Sequence, residues 1–284
     1  MFRRMKTAEI VTSVAALRAH VSDWRKAGAR VGLVPTMGAL HAGHLSLVET
    51  IRTRTDKAIV SIFVNPAQFA PHEDFDRYPR TLETDTAKLG NAAALIFAPA
   101  VKEMYPAGFA TRIEVGGPAQ GLETDFRPHF FSGVATVVSK LLIAAMPDVA
   151  IFGEKDYQQL LVIRRMTADL GLPIEIFGAP IVREADGLAM SSRNAYLALR
   201  EREIAGRMNL ILRDVITRAK HGDPIAVAEQ FGKSDLLEAG FSSVDYVAIR
   251  DAETLEPVTD LARPARVLAA AKIGATRLID NLAV

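Results

Sequence analysis

Val31-Gly-Leu-Val-Pro-Thr-Met-Gly-Ala-Leu-His-Ala-Gly-His-Leu-Ser-Leu-Val48 carries the strongest structural pattern in this chain. Its opening apolar run is typical of a strand buried in a parallel sheet. Pro35 has no N–H to give to a ladder and is expected to end that strand. Gly38 and Gly43 allow sharp turns, and from His44 onward apolar residues recur at helical spacing. The stretch therefore predicts a strand, a turn and a helix in that order.

The predicted helix start is suited to binding phosphate, because free N–H groups lie at the N-terminus of a helix. His41 and His44 are three residues apart, so on a helical first turn both rings can face the same way. A chance pair and a metal site are the alternatives, but no cysteine and no cluster of His and Asp stands beside them. The pattern His-x-Gly-His resembles the signature of the nucleotidylyltransferase superfamily, whose histidines hold ATP phosphates.

The composition is that of an ordinary globular protein. The 284 residues are 49% hydrophobic and 24% charged, and this length favours two domains. A formal net charge of +1 lacks the basic excess of nucleic-acid-binding proteins, so no nucleic-acid partner is expected. The absence of cysteine excludes disulfides, thiolate metal sites and a cysteine nucleophile.

Two segments bear on membrane insertion and export. Arg3, Arg4 and Lys6 near the start are not followed by the apolar core of a secretory signal. The most apolar stretch, Val134–Met146, is too short to span a bilayer and contains Lys140. We therefore expect no membrane partner and a cytoplasmic location.

Strand, polar loop and helix alternate through the first part of the chain. Apolar runs predict further strands at 57–64, 93–99, 111–115, 149–152 and 173–182. This alternation predicts an α/β fold with a doubly wound, Rossmann-like parallel sheet over residues 1–182. Residues 183–284 differ in character. Two helices at 199–221 and 225–239 and two strands at 244–250 and 266–272 predict a smaller C-terminal α+β domain.

Five motifs then occur in order along the chain. They are Pro35-Thr-Met-Gly-Ala-Leu-His-Ala-Gly-His44, Phe63-Val-Asn-Pro-Ala-Gln-Phe69, Arg77-Tyr-Pro-Arg-Thr81, Phe152-Gly-Glu-Lys-Asp-Tyr-Gln-Gln159, and Arg183-Glu-Ala-Asp-Gly187 with Ser191-Ser-Arg-Asn194. Together they resemble the pantoate–β-alanine ligase family. The polar parts of the motifs follow predicted strands, where ligands of open α/β sheets bind.

The resemblance implies an ATP-dependent ligase that joins pantoate to β-alanine through a pantoyl adenylate, releasing AMP and pyrophosphate. It also implies ATP as substrate, Mg²⁺ and a homodimer. The alternatives are another nucleotidylyltransferase of the same superfamily and a nucleotide-binding pseudoenzyme. The first is expected to replace Gln68 and Gln159 with a mononucleotide-binding loop, and the second to lack a charge-stabilising residue.

Residue roles follow from the same resemblance. Catalysis is assigned to His41, His44, Lys155 and Arg193, with His44 as the proton donor. ATP binding is assigned to Met37, Gly38, Ala39, Leu40, His41, Ala42, Gly43, His44, Gly153, Glu154, Lys155, Asp156, Val182, Met190, Ser191, Ser192 and Arg193. Gln68 and Gln159 are implied to bind pantoate, and Gln68 also β-alanine. Asp156 is implied to hold either the ribose or the metal region.

The sequence departs from the family at Arg127-Pro-His-Phe-Phe131, where many members have Arg-Pro-Gly-His-Phe. The histidine lies one position earlier, so no role is assigned to His129. A loop near 74–79 or 127–133 is expected to close over the labile adenylate and keep water from it.

Overall fold

The computed structural model describes residues 8–70 and 75–284, which form two compact units. The first comprises the described residues through Glu154 together with Val162–Ala179, and the second comprises Lys155–Leu161 and Pro180–Val284. The basic residues near the start and Asp74, the first residue of one predicted closing loop, lie outside the described residues.

The first unit contains a six-stranded parallel sheet in the order β1-β4-β3-β2-β5-β6. Its strands are β1 (Glu9–Val11), β2 (Val31–Thr36), β3 (Lys57–Ile62), β4 (Leu95–Phe97), β5 (Val149–Gly153) and β6 (Glu175–Ala179). The helices that accompany them are α1 (Val14–Lys26), α2 (Ala42–Arg52), α3 (Leu82–Leu89), α4 (Val101–Met104), α5 (Glu123–Phe126) and α6 (Phe130–Ala145). The helix α7 (Tyr157–Asp169) belongs to this unit from Val162 onward. The predicted α/β class with a parallel sheet is confirmed.

Close packing fixes α2 against the centre of this sheet. A Cβ on Gly32 of β2 would lie 2.6 Å from Cγ1 of Ile51, so only glycine lets the helix approach this closely. Leu33 and Val34 of β2 are buried, as expected for a central strand with apolar contacts on both faces. This packing carries the start of α2 to the carboxyl end of β2.

The expectation that Pro35 ends its strand was wrong. β2 continues through Thr36, whose carbonyl accepts a hydrogen bond from Phe63 N, so the backbone groups of Thr36 face β3. The backbone nitrogen of Pro35 therefore faces the other side, where pairing with β5 covers only Gly32 and Leu33. No ladder bond is lost there, and proline is tolerated.

The predicted strand at 111–115 was also wrong. Residues 111–115 form no strand, and Ile113 N donates instead to Thr136 Oγ1 of α6 at 3.0 Å. A helix side chain thus satisfies the backbone that a neighbouring strand was expected to satisfy. The edge strand β1, which pairs with β4, was not predicted.

The second unit contains α8 (Leu199–Lys220), α9 (Ile225–Ala239) and an antiparallel sheet of β7 (Ser243–Asp251), β8 (Ala265–Ile273) and β9 (Thr276–Ala283). Its core packs apolar residues of both helices, such as Leu212 and Leu236, with sheet residues such as Val267. The predicted smaller α+β region is confirmed, although the sequence did not predict β9. Within the part of the chain that the structure describes, none of the helices combines the length and apolar character that a membrane crossing needs.

Candidate active site

The predicted ATP segment Met37–His44 connects β2 to the first turn of α2. His41 is the N-cap, and its Nδ1 accepts a hydrogen bond from Gly43 N at 3.2 Å. His44 Nδ1 accepts in turn from His41 N at 3.3 Å, and the two ring centroids lie 4.1 Å apart. The histidines therefore cap the helix reciprocally, as a capping box does. Since each Nδ1 is an acceptor, the proton of each neutral ring is on Nε2.

The turn before these histidines is held by α3. Ala39 has a left-handed backbone (φ 50°), and its N–H donates to Asp85 Oδ2 at 2.9 Å. Leu40 N donates to Asp85 Oδ1 at 2.8 Å, and Thr81 Oγ1 donates to Oδ2 at 3.1 Å. Lys88 Nζ donates to Leu40 O at 2.6 Å. The fully buried carboxylate of Asp85 thus stabilises a strained turn by accepting hydrogen bonds from two backbone N–H groups of that turn.

Gln68 lies beyond the carboxyl end of the neighbouring strand β3, in the short 3-10 turn Pro66–Gln68. Its side chain is buried, and its Oε1 accepts from Asn65 Nδ2 at 2.9 Å. The same Nδ2 donates to Gly133 O of α6 at 3.2 Å. A Cβ on Gly133 would lie 2.1 Å from Ala67 O, so α6 reaches the loop only because this residue is glycine. With Oε1 engaged, the amide NH₂ is the group that Gln68 offers to an anion.

Two residues that the sequence interpretation did not assign hold this loop. Tyr105 OH donates to Asn65 Oδ1 at 2.7 Å. Burial raises the pKa of Tyr105 to about 12, so the phenol remains a donor at neutral pH. Arg127 Nη2 donates to Gln68 O at 3.2 Å, and its Nη1 lies 3.6 Å from Glu123 of α5. The divergence of the segment that contains Arg127 was the available sequence signal, whereas Tyr105 lay outside every motif.

A third segment of the first unit ends at the same sheet edge. Gly153 closes β5, which pairs with β2 on the side opposite β3, and Glu154 follows it directly. The structure therefore brings three predicted segments to neighbouring strand ends in this unit: 37–44, Gln68, and 153–154. Such an edge is where open parallel sheets bind ligands.

The second unit holds the remaining predicted residues. Lys155 lies in the 3-10 turn Glu154–Asp156, and its Nζ is 3.9 Å from Asp156 Oδ2, a partly solvated pair that adds little stability. Asn281 Nδ2 donates to the backbone oxygen of Lys155 at 2.9 Å. Gln159 is half-buried in the first turn of α7.

The segment Met190–Arg193 begins where Met190 N donates to Val182 O at 3.0 Å. Ser191 is the N-cap of the 3-10 turn Ser192–Tyr196, and its Oγ accepts from Arg193 N at 3.2 Å. Serine is a common N-cap, and this role uses the oxygen as an acceptor but not the hydroxyl hydrogen. The segment thus carries the guanidinium of Arg193 next to the hydroxyl groups of Ser191 and Ser192 in the chain.

Carboxylates suited to a nucleotide-borne cation are present beside Lys155. Within residues 8–70 and 75–284, no three His, Asp or Glu side chains gather as ligands of a metal ion. Mg²⁺ that travels with nucleotide phosphates needs only one or two carboxylates and keeps several waters. Glu154 and Asp156 lie in one turn and fit that requirement.

Known proteins share both the sequence and the fold. The family model described as pantoate-beta-alanine ligase matches residues 9–283. A pantothenate synthetase from Mesorhizobium japonicum is 57% identical over 281 residues, covering 99% of each chain. The crystal structure of pantothenate synthetase from Thermus thermophilus matches with a TM-score of 0.90 and 48% identity, covering 96% of this chain and 98% of that one.

A further crystal structure carries ligands. It is pantoate-beta-alanine ligase from Francisella tularensis complexed with beta-gamma ATP and beta-alanine, and it matches with a TM-score of 0.83 and 33% identity. The match covers 97% of each chain. The similarity therefore extends over nearly the whole length of all three relatives.

Proposed function

This chain belongs to the pantoate–β-alanine ligase family, and we propose that it joins pantoate to β-alanine with ATP through a pantoyl adenylate. The family resemblance inferred from the motifs is confirmed. The observation that supports the proposed chemistry most directly is the reciprocal cap of His41 and His44 at the start of α2, because it leaves the proton of each neutral ring on Nε2. None of the described residues favours a different nucleotidylyltransferase or a pseudoenzyme.

In the first step, a carboxylate oxygen of pantoate attacks the α-phosphorus of ATP, and the bond from that phosphorus to the bridging oxygen of pyrophosphate breaks. Negative charge grows on the phosphate oxygens and on the leaving pyrophosphate, so positioned donors lower the barrier. We assign this role to the Nε2–H groups of His41 and His44 and to Lys155, Ser191 and Arg193. Backbone N–H groups at the start of α2 add a favourable field for phosphate.

In the second step, the amine of β-alanine attacks the acyl carbon of the adenylate, the bond to the AMP oxygen breaks, and the amine loses a proton. Gln68 holds pantoate through its amide NH₂, which Asn65 orients by engaging Oε1. Gln159 is the second pantoate residue of the proposal, and Gln68 also borders β-alanine. The buried position of Gln68 is suited to an intermediate that water would destroy.

The proposal also includes Mg²⁺, a homodimer and a cytoplasmic location. Mg²⁺ would neutralise phosphate charge when bound, and Glu154 and Asp156 would hold it through the carboxylates described above. The family resemblance supports the homodimer, which light scattering after size-exclusion chromatography tests. The use of ATP supports the cytoplasm, which cell fractionation tests.

Isotope exchange tests the adenylate route. With ATP, Mg²⁺ and pantoate but no β-alanine, labelled pyrophosphate is expected to enter ATP. In the full reaction, ¹⁸O from the pantoate carboxylate is expected in AMP. Reactions with β-alanine alone and without either acid are the controls. If pantothenate forms with neither exchange nor ¹⁸O transfer, the adenylate route is wrong; if no pantothenate forms at all, the ligase activity is wrong.

A further inference from the structure

Two adjacent residues of β9 hold two different segments of the second unit. Asn281 Nδ2 donates to the backbone oxygen of Lys155 at 2.9 Å. Asp280 forms a bidentate ion pair with Arg183, with Nη1 to Oδ2 at 2.8 Å and Nη2 to Oδ1 at 2.9 Å. Successive side chains of a strand point to opposite faces, so neighbouring positions can reach separate segments.

The amide of Asn281 is oriented by its other contacts. Its Oδ1 accepts from Arg266 Nη1 of β8, so its NH₂ is directed to Lys155. The guanidinium of Arg266 also lies 3.8 Å from the centroid of the Tyr157 ring, and Tyr157 OH donates to Ala252 O at 2.8 Å. The short segment from Lys155 to Tyr157 is therefore fastened to the antiparallel sheet at both of its ends.

The ion pair of Asp280 anchors the hairpin that leads to Met190–Arg193. Besides Asp280, Arg183 Nη1 donates to Gly187 O at 2.8 Å, and the backbones of Arg183 and Ala189 form an antiparallel bridge. The side chain of Asp280 is 2% exposed and that of Arg183 17% exposed. A bidentate pair with a buried carboxylate restricts both the position and the rotation of the hairpin base.

We propose that Asp280 and Asn281 are positioning residues for ATP in this chain: Asn281 sets the backbone of Lys155, and Asp280 sets the base of the segment that carries Ser191, Ser192 and Arg193. The inference rests on the proposed function for the roles of those residues. The physical link is direct, because each β9 residue hydrogen-bonds either the segment itself or the arginine that anchors it. Two adjacent residues of β9 therefore position two sets of groups that donate hydrogen bonds to phosphate.

Isosteric variants test the inference. Asn281→Asp keeps an acceptor for Arg266 but turns an oxygen toward the oxygen of Lys155, and Asp280→Asn weakens the pair with Arg183. The matched control is Asp245→Asn, which alters a comparable pair of the same sheet, where Arg277 Nε donates to Asp245 Oδ2 at 2.7 Å and the side chains are 18% and 11% exposed.

Hydrogen exchange gives a readout that does not depend on activity. Asn281→Asp is expected to speed amide exchange in residues 154–158, and Asp280→Asn in residues 183–194, with α8 and β7 unchanged. Asp245→Asn is expected to leave both segments at the wild-type rate. If the two β9 variants match this control, the inference is overturned whether or not the wild type makes pantothenate.

Steady-state kinetics then measure what happens when the groups that bind phosphate are displaced. Both β9 variants are expected to lower kcat/KM for ATP by about 10- to 100-fold, as small displacements of reacting groups do, while KM for pantoate stays within about twofold. Equal losses of kcat/KM for ATP and for pantoate would contradict a positioning role, as would losses of kcat/KM for ATP no larger than in Asp245→Asn. If Asp280→Asn fails to fold, Asn281→Asp alone decides the outcome.

Discussion

Two neighbouring segments of the first unit, at the carboxyl ends of β2 and β3, are held in place by different means. The turn Met37–His44 contains its own cap, because His41 and His44 hydrogen-bond backbone groups within the same few residues. The loop around Gln68 depends on distant residues: Tyr105 lies 40 positions from its partner Asn65, and Gly133 lies 68 positions from it. The turn is therefore shaped largely by contacts within its own segment, whereas the loop is shaped by residues far along the chain.

The turn is not wholly independent of the rest of the unit. Asp85 accepts hydrogen bonds from Ala39 and Leu40, which are 46 and 45 positions away. The difference is that this carboxylate supports the backbone before the histidines, whereas the rings themselves are oriented locally. In the loop, the orientation of the Gln68 side chain itself comes from outside, through the contacts that Tyr105 and Gly133 make with Asn65.

The largest expected effect comes from removing the imidazole of His44. Turnover of His44→Ala is expected to fall by about 10²–10³, the usual effect of losing one transition-state donor. His44→Gln is expected to fall as far in turnover, but its amide oxygen can still accept from His41 N as a capping-box glutamine does. Steady-state rates and urea unfolding of both variants separate catalysis from capping.

Urea unfolding measures how much stability the cap itself contributes to the turn. His44→Ala is expected to lose about 1 kcal/mol of stability with its cap, and His44→Gln less than that. Wild-type turnover in the alanine variant would show that the residue serves only as a cap.

A middle-sized effect is expected from Gly133→Ala, which tests the distant support of the loop. The new Cβ would meet Ala67 O at 2.1 Å, so α6 or the loop must shift, at a cost of about 1–3 kcal/mol. KM for pantoate is expected to rise while KM for ATP stays constant. Gly116→Ala is the control, because a Cβ there meets nothing within 4 Å. Equal changes in both KM values would show that the turn and the loop are not separately supported.

The smallest effect is expected from Tyr105→Phe, which removes the hydrogen bond to Asn65 Oδ1 and costs about 1 kcal/mol near neutral pH. Burial raises the pKa of Tyr105 from 10.0 to about 12. The folded state therefore holds the phenol proton more tightly than the unfolded state. The contribution of Tyr105 to the free energy of unfolding is fully present below pH 10 and is lost as the pH rises through 12.

Phenylalanine has no such proton, so the stability advantage of the wild type over Tyr105→Phe is expected to shrink between pH 10 and 12. Urea unfolding of both proteins at about pH 8 and about pH 11 measures this difference. A constant difference across that range would mean that Tyr105 is not buried as the loop contacts require.

The difference between contacts near in sequence and contacts far apart also explains which helices and strands the sequence predicted correctly. The helix at 225–239 was predicted with its observed ends, because helical spacing and flanking residues act over a few turns. The strand at 111–115 was wrong because the backbone there is satisfied by Thr136, a side chain on a helix far along the chain. β9 was missed, and with it Asp280 and Asn281, whose partners Arg183 and Lys155 are 97 and 126 positions away.

By itself the sequence determined the parallel α/β class, the smaller α+β region, the family and the order of strand, turn and helix over residues 31–48. Each of these depends on periodicity or on short motifs, which report interactions between residues close together in the chain. Only the tertiary structure decided that Tyr105 orients Asn65 beside Gln68 and that β9 fastens the segment of Lys155. Those contacts exist because helices and strands pack at particular distances, and hydrogen bonds of about 3 Å form only after that packing has brought remote side chains together.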